Sequence, residues 1–143
     1  MVKVRVMKPM FKPKNPKTFV LYPYRIFHIR LFFKRIVGKD RILDYFAYVD
    51  CYRCCVERGD GFIDIIEVEA DGNQIMDYLI DYEEAKRKAI ESAIVWGNFK
   101  VISWWLPKVE VLKEAEAYKI FWIFSKDNRT MIMDSLTGEV FES

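Results

Sequence analysis

A chain of 143 residues with 52% hydrophobic and 16% aromatic content can bury a sizeable core without staples, which excludes a disordered chain and a disulfide mini-protein. Its formal net charge of +2 conceals an asymmetry: residues 1–41 hold twelve Lys or Arg against one acid, Asp40, and the remainder eleven against twenty. No segment is long and clean enough to span a bilayer, since the most apolar early run, Phe19 to Phe33, contains Arg25, His28 and Arg30.

Residues 1–18 read as a basic, proline-containing arm or edge strand. Val2, Val4 and Val6 alternate with Lys3 and Arg5, and then Pro9, Pro13 and Pro16 each remove a ladder donor. This tract lacks a signal-peptide core and a small-residue cleavage site, so a cytoplasmic location is expected. Gln and His each occur once in a chain rich in Tyr, Phe, Ile, Lys and Glu, a balance that fits a source in a hot environment.

Residues 19–143 read as one α+β domain. Phe19 to Phe33 is strand-like, with Pro23 marking a bulge, an edge or the true start, and Ile42 to Val49 is its return strand. Gly59-Asp60-Gly61 is a turn, after which Phe62 to Glu69 alternates as a further strand. Ile75 to Ile80 fits a helical turn or a short strand. The period then changes to 3.6: Tyr82, Ala85, Ala89, Ile90, Ala93, Ile94 and Trp96 share one side, Asp81 and Glu84 have capping-box spacing, and Gly97-Asn98 ends a helix over about 82–97. Val101 to Lys113 is extended and interrupted at Pro107.

The last stretch, Tyr118 to Val140, is two strands and a corner. Tyr118, Ile120, Trp122 and Phe124 alternate with Lys119, Phe121 and Ile123, Lys126-Asp127-Asn128-Arg129 supplies a hairpin turn, and Thr130 to Met133 returns. Asp134 to Gly138 then closes it, with the aspartate accepting from turn backbone and the glycine free to adopt positive φ. The unit recurs earlier. Tyr24-Arg25-Ile26-Phe27-His28-Ile29 lies over Tyr118-Lys119-Ile120-Phe121-Trp122-Ile123 at an offset of about 94, and Asp50 to Val56 over Asp134 to Val140 at about 84. Residues 22–56 and 116–140 thus read as an internal repeat, and the expected fold is an antiparallel sheet of about six strands from two related hairpins with one main helix across it.

The helix opening Glu83-Glu84-Ala85, the following strands and the terminal Asp-x-x-Thr-Gly-Glu-Val resemble the PepSY-type domain, mainly over residues 81–140. The resemblance implies a helix packed on an antiparallel sheet and a non-catalytic binding or inhibitory module. It carries over no catalytic residue. Cys54, where the second copy has Gly138, departs from the pattern.

Candidate sites compete with plainer roles. Cys51, Cys54 and Cys55 could share a metal with His28 as a fourth ligand, form a disulfide with one thiol left over, or be buried or turn thiols. His28 lacks a nucleophile in any local motif, and Asp64, Glu67, Glu69, Asp71, Asp77 and Asp81 scatter over both strand faces, so no catalytic residue, cofactor or enzyme activity is expected. Lys3, Arg5, Lys8, Lys12, Lys14, Lys17, Arg25 and Arg30, interleaved with aromatics, make nucleic acid the alternative partner. The leading expectation is a non-enzymatic binding or regulatory module with a protein partner or a second copy, dimerising through Trp104, Trp105 or Trp122, and with no membrane partner.

Overall fold

A computed structural model describes residues 1–142; Ser143, the last residue of the expected domain, lies outside the described residues. The chain forms β1 (Val2–Met7), β2 (Pro16–Phe33), β3 (Arg41–Asp50), β4 (Cys55–Gly59), β5 (Ile65–Ala70), a 3₁₀ turn (Gly72–Gln74), α1 (Tyr82–Lys100), β6 (Lys108–Lys126), β7 (Arg129–Asp134) and β8 (Val140–Glu142). This is an α+β fold with a mixed, eight-stranded sheet and one long helix. Its contacts divide into two compact units, each discontinuous in sequence: Met1–Tyr24 with Ile63–Tyr78 and the chain from Glu116, and Arg25–Phe62 with Leu79–Ala115.

In the first unit, β1 is an inner strand, where the sequence suggested an edge. It runs antiparallel to β5, placing Lys3 opposite Glu69 and Arg5 opposite Glu67, and parallel to β6, where Val6 stands beside Tyr118. The parallel pairing makes the sheet mixed, where antiparallel strands alone were expected. Opposite charges facing each other across β1 and β5 remove the repulsion that two basic residues on one strand would otherwise bring. Strands β6 and β7 form a hairpin in which Lys126 pairs Arg129 across a two-residue turn, Asp127 and Asn128, both at positive φ (53° and 62°). That geometry suits Asp and Asn and matches the natural strand twist. Val6, Leu21, Ala70, Ile120 and Trp122 form the core of this unit, with Phe19, Val68 and Met133 against it. Residues 75–80 adopt neither expected element; Ile75 makes one parallel bridge to Leu21, and Met76 N–H donates to the Leu21 carbonyl at 2.9 Å.

In the second unit, β3 pairs antiparallel with β4, and α1 packs on both. The helix starts where expected: the Asp81 side chain accepts from the Glu84 backbone N–H at 2.9 Å, satisfying one of the donors that a helix N-terminus leaves open. It buries Ala85, Ala89, Ala93 and Gly97, a stripe at four-residue spacing. Small side chains at each step let the helix axis approach the sheet closely. Gly97 does not stop the helix, which runs on to Lys100, because its role is close approach: a Cβ there would lie 2.7 Å from Phe33 Cζ and 2.8 Å from Leu31 Cδ1.

Each unit contains an aspartate corner, and the two corners use the same bonds. Asp134 Oδ1 accepts from Leu136 N–H (2.8 Å) and Thr137 N–H (3.3 Å), while Gly138 N–H donates to the Asp134 carbonyl (2.9 Å) at a Gly138 φ of 77°. Asp50 Oδ1 accepts from Tyr52 N–H (2.9 Å) and Arg53 N–H (2.8 Å), while Cys54 N–H donates to the Asp50 carbonyl (2.9 Å) at a Cys54 φ of 64°. The residue after the aspartate, Ser135 or Cys51, is buried in both. Its carbonyl anchors another segment of the same unit: Ser135 O accepts from Met10 and Phe11, and Cys51 O from Leu79.

Candidate binding surface

The most exposed apolar side chains of the second unit lie where α1 hands over to β6. Val101 caps the helix through its N–H to the Gly97 carbonyl (2.9 Å) and is buried, as is Pro107, so the segment between them is pinned at both ends. Within and beside it, Ile102 is 92% exposed, Phe99 86%, Leu106 82% and Trp104 81%. The neighbouring turn between β2 and β3 adds Val37, 79% exposed, and Ile36.

Two contacts join these two loops into one tip, and a third braces the longer loop internally. Ser103 Oγ donates to the Lys34 carbonyl (2.5 Å) and accepts from Trp105 N–H (3.3 Å), and Lys34 Nζ sits over the Trp105 ring, 5.2 Å from its centroid. Trp105 is thereby held partly down while Trp104 stands out. The β2–β3 turn is fixed by Arg35 N–H donating to Asp40 Oδ1 (3.2 Å) and by Gly38 at a φ of 87°. The two segments that carry these apolar residues are also basic: Lys34, Arg35, Lys39, Arg41, Lys100 and Lys108 are all exposed, and Asp40 is the one acid among residues 34–41 and 99–108. Single exposed leucines are ordinary on a protein surface, whereas several large apolar side chains on adjoining loops are not.

A second feature of this unit is an open groove of about 410 Å³ between α1 and the β3–β4 corner, lined by residues including Tyr45, Cys54, Lys88, Glu91, Ser92 and Trp96. Its volume is in the range of small-ligand sites. Several of its polar groups are already engaged: Tyr45 Oη and Ser92 Oγ bond each other at 2.6 Å, and the Arg58 guanidinium lies over the Trp96 ring, 4.8 Å from its centroid.

The cysteines are free, and among the described residues no group of three or more His, Cys, Asp or Glu is arranged to hold a metal. Cys51 is buried with its thiol donating to the Val49 carbonyl (3.5 Å), and burial pushes its pKa up to about 12. Cys54 Sγ lies 3.9 Å from the Tyr52 carbonyl, at the groove. Cys55 is exposed, its thiol raised by burial of the sulfur and by the charges of Asp50 and Glu57. His28 Nε2 is 3.2 Å from Asp44 Oδ1 and its ring stacks on Phe46. Asp44 is held below the usual carboxylate range, first by the Arg30 hydrogen bond (2.8 Å) and then by His28.

The basic residues of the N-terminal region are mostly committed locally. Lys3 and Arg5 face Glu69 and Glu67, Lys12 lies over the Trp122 ring (5.0 Å), Arg25 over Tyr82 (5.8 Å), and Arg30 pairs with Asp44. Lys8 and Lys14 remain exposed on the segment between β1 and β2, and Lys17 is exposed at the start of β2. Of the three tryptophans expected at an interface, Trp104 and Trp105 lie on the tip, whereas Trp122 is in the core. Its indole N–H donates to the Phe11 carbonyl (2.9 Å) and its ring meets Phe19 edge-on.

The sequence reading missed Ile36, Val37, Phe99, Ile102 and Leu106. Proline at 107 and the turn residues Gly38-Lys39-Asp40 were the available signals that these apolar residues sit on loops. No family model matches the chain, and neither the curated proteins nor the solved structures yielded a significant match.

Proposed function

We propose that this protein is a non-enzymatic binding module that docks through the tip formed by Phe99, Ile102, Trp104 and Leu106 with Ile36 and Val37. The observation that carries this reading is the exposure of so many large apolar side chains on loops held in place by the Ser103–Lys34 bond and the buried Val101 and Pro107. Burying apolar surface yields roughly 25 cal/mol per Å², so a preordered tip of this kind gains affinity without first paying to order its loops. The resemblance to PepSY-type modules implies the same class of role, and the matched aspartate corners support an origin of the two hairpins by duplication.

A photoreactive phenylalanine analogue at position 102, with a control at exposed Glu83, tests the docking reading in cells that express the protein. Adducts formed at 102 and absent at 83 support it. Equal labelling at both positions, or none at 102, contradicts it.

Nucleic-acid binding is a second reading, favoured by exposed Lys8, Lys14 and Lys17 on one segment. Removing that segment is a poor test, because Met10, Phe11 and Lys12 hold the Ser135 corner and Trp122. Replacing the three lysines with glutamine leaves those contacts intact. Salt-sensitive binding of labelled nucleic acid that is lost in this variant supports the second reading, and absence of binding at low salt removes it.

A further inference from the structure

We infer that the partner of the tip is an anionic membrane surface, met from the side and not crossed. The inference rests on the docking reading above and names what the tip docks to. It departs from the expectation that no membrane is involved.

Charge and apolar exposure together select this occupant. Six exposed cations against one acid, Asp40, lie on the same two segments as the exposed apolar residues, so a partner that covers the tip must offer both apolar contact and negative charge. A second copy meeting the tip about a two-fold axis would set these cations against their own counterparts, because such an interface brings the same patch together from both sides. An anionic bilayer offers both: phosphate-bearing headgroups outside, acyl chains beneath, with aromatic rings favoured at the boundary and lysine stems able to lie along apolar surface while their ammonium groups stay with the phosphates.

The shape points the same way. Ile102, Trp104, Leu106 and Phe99 project from a loop and a helix end, whereas the groove of this unit lies elsewhere, beside Trp96. Projecting side chains need a partner that conforms to them, and a fluid interface does so without a matching pocket. No helix among the described residues is long and apolar enough to cross a membrane. Side chains carried by a loop and a helix end suit shallow insertion at the headgroup boundary.

The test is sedimentation of the full chain with vesicles of phosphatidylcholine, with and without phosphatidylglycerol, at low and near-physiological salt, together with tryptophan emission. The assignment predicts sedimentation with the phosphatidylglycerol vesicles, a blue shift of emission, and weakening with salt. Ile102→Asp with Trp104→Asp should abolish binding, and Lys39→Gln or Lys100→Gln should each weaken it about fivefold. These side chains are exposed, so circular dichroism should show an unchanged fold. Failure to sediment at low salt, equal binding to phosphatidylcholine alone, or binding that survives the double aspartate variant overturns the assignment. Failure with a protein adduct at position 102, from a second copy or an acidic partner, overturns the membrane and leaves the docking reading standing. Failure with no adduct at 102 overturns both.

Discussion

Lys119 Nζ lies 2.6 Å from Asp134 Oδ2, and both side chains are less than a tenth exposed. The aspartate also holds the Leu136 and Thr137 N–H groups, and the lysine lies near the Tyr24 and Phe121 rings, so one ion pair ties the β6 strand to the corner that follows β7. Removing one partner leaves the other charge buried. Lys119→Met should cost about 3–5 kcal/mol, the range for breaking a buried pair from one side. Replacing both partners by apolar residues should cost less than the sum of the single changes, and urea unfolding of the three variants measures this.

The two corners differ in one residue that matters for stability. Cys54 holds a positive φ of 64° where the other corner has Gly138 at 77°. A side chain in that region costs roughly 1–2 kcal/mol, so Cys54→Gly should leave stability unchanged or raise it despite glycine's greater unfolded-state freedom. Gly138→Ala should lower it by about the same 1–2 kcal/mol, since the new Cβ would also stand 3.1 Å from the Phe11 ring. Thermal unfolding distinguishes the two signs.

Gly97 offers a test of helix packing against helix propensity. Alanine is better than glycine in a helix by about 1 kcal/mol. Here the Cβ would press on Phe33 and Leu31, both fully buried, and overpacking of that kind costs about 1–3 kcal/mol. Gly97→Ala should therefore lower the urea midpoint, and Phe33→Leu in the same chain should recover part of the loss.

The Cys51 thiol links stability to alkaline pH. An unfolded chain releases this proton near the ordinary value of 9.0, while the folded chain holds it until about 12. Between those values the unfolded state binds fewer protons, so stability falls as pH rises through the window, and Cys51→Ala should flatten that fall. At neutral pH an alkylating reagent should modify Cys54 and Cys55 in the folded protein and Cys51 only on unfolding, which mass spectrometry of the labelled peptides reads directly.

Much of the fold could be read from local chemistry. The Asp127-Asn128 turn, the Asp81 cap and the aspartate corners each depend on residues within a few positions of one another, where side-chain hydrogen bonding and permitted φ decide the outcome. Sheet order was not legible in the same way. A period of two shows that Val2 to Met7 is a strand but not which strands flank it; the acids Glu67 and Glu69, opposite Arg5 and Lys3, were the only hint. Gly97 was read as a stop because glycine ends helices more often than it admits a neighbouring sheet. The tip was hidden for a further reason: an apolar run reads alike whether tertiary structure covers it or leaves it out, as Trp122 and Trp104 demonstrate.

Tryptophan reactivity separates docking at the tip from docking at the groove. Hydroxyl-radical footprinting can compare oxidation of Trp104, Trp96 and buried Trp122 in the purified protein and inside cells that express it. Docking at the tip should protect Trp104 in cells while Trp96 keeps its reactivity and Trp122 stays unreactive throughout. Protection of Trp96 with Trp104 unchanged would contradict it and move the site to the groove beside Tyr45 and Ser92.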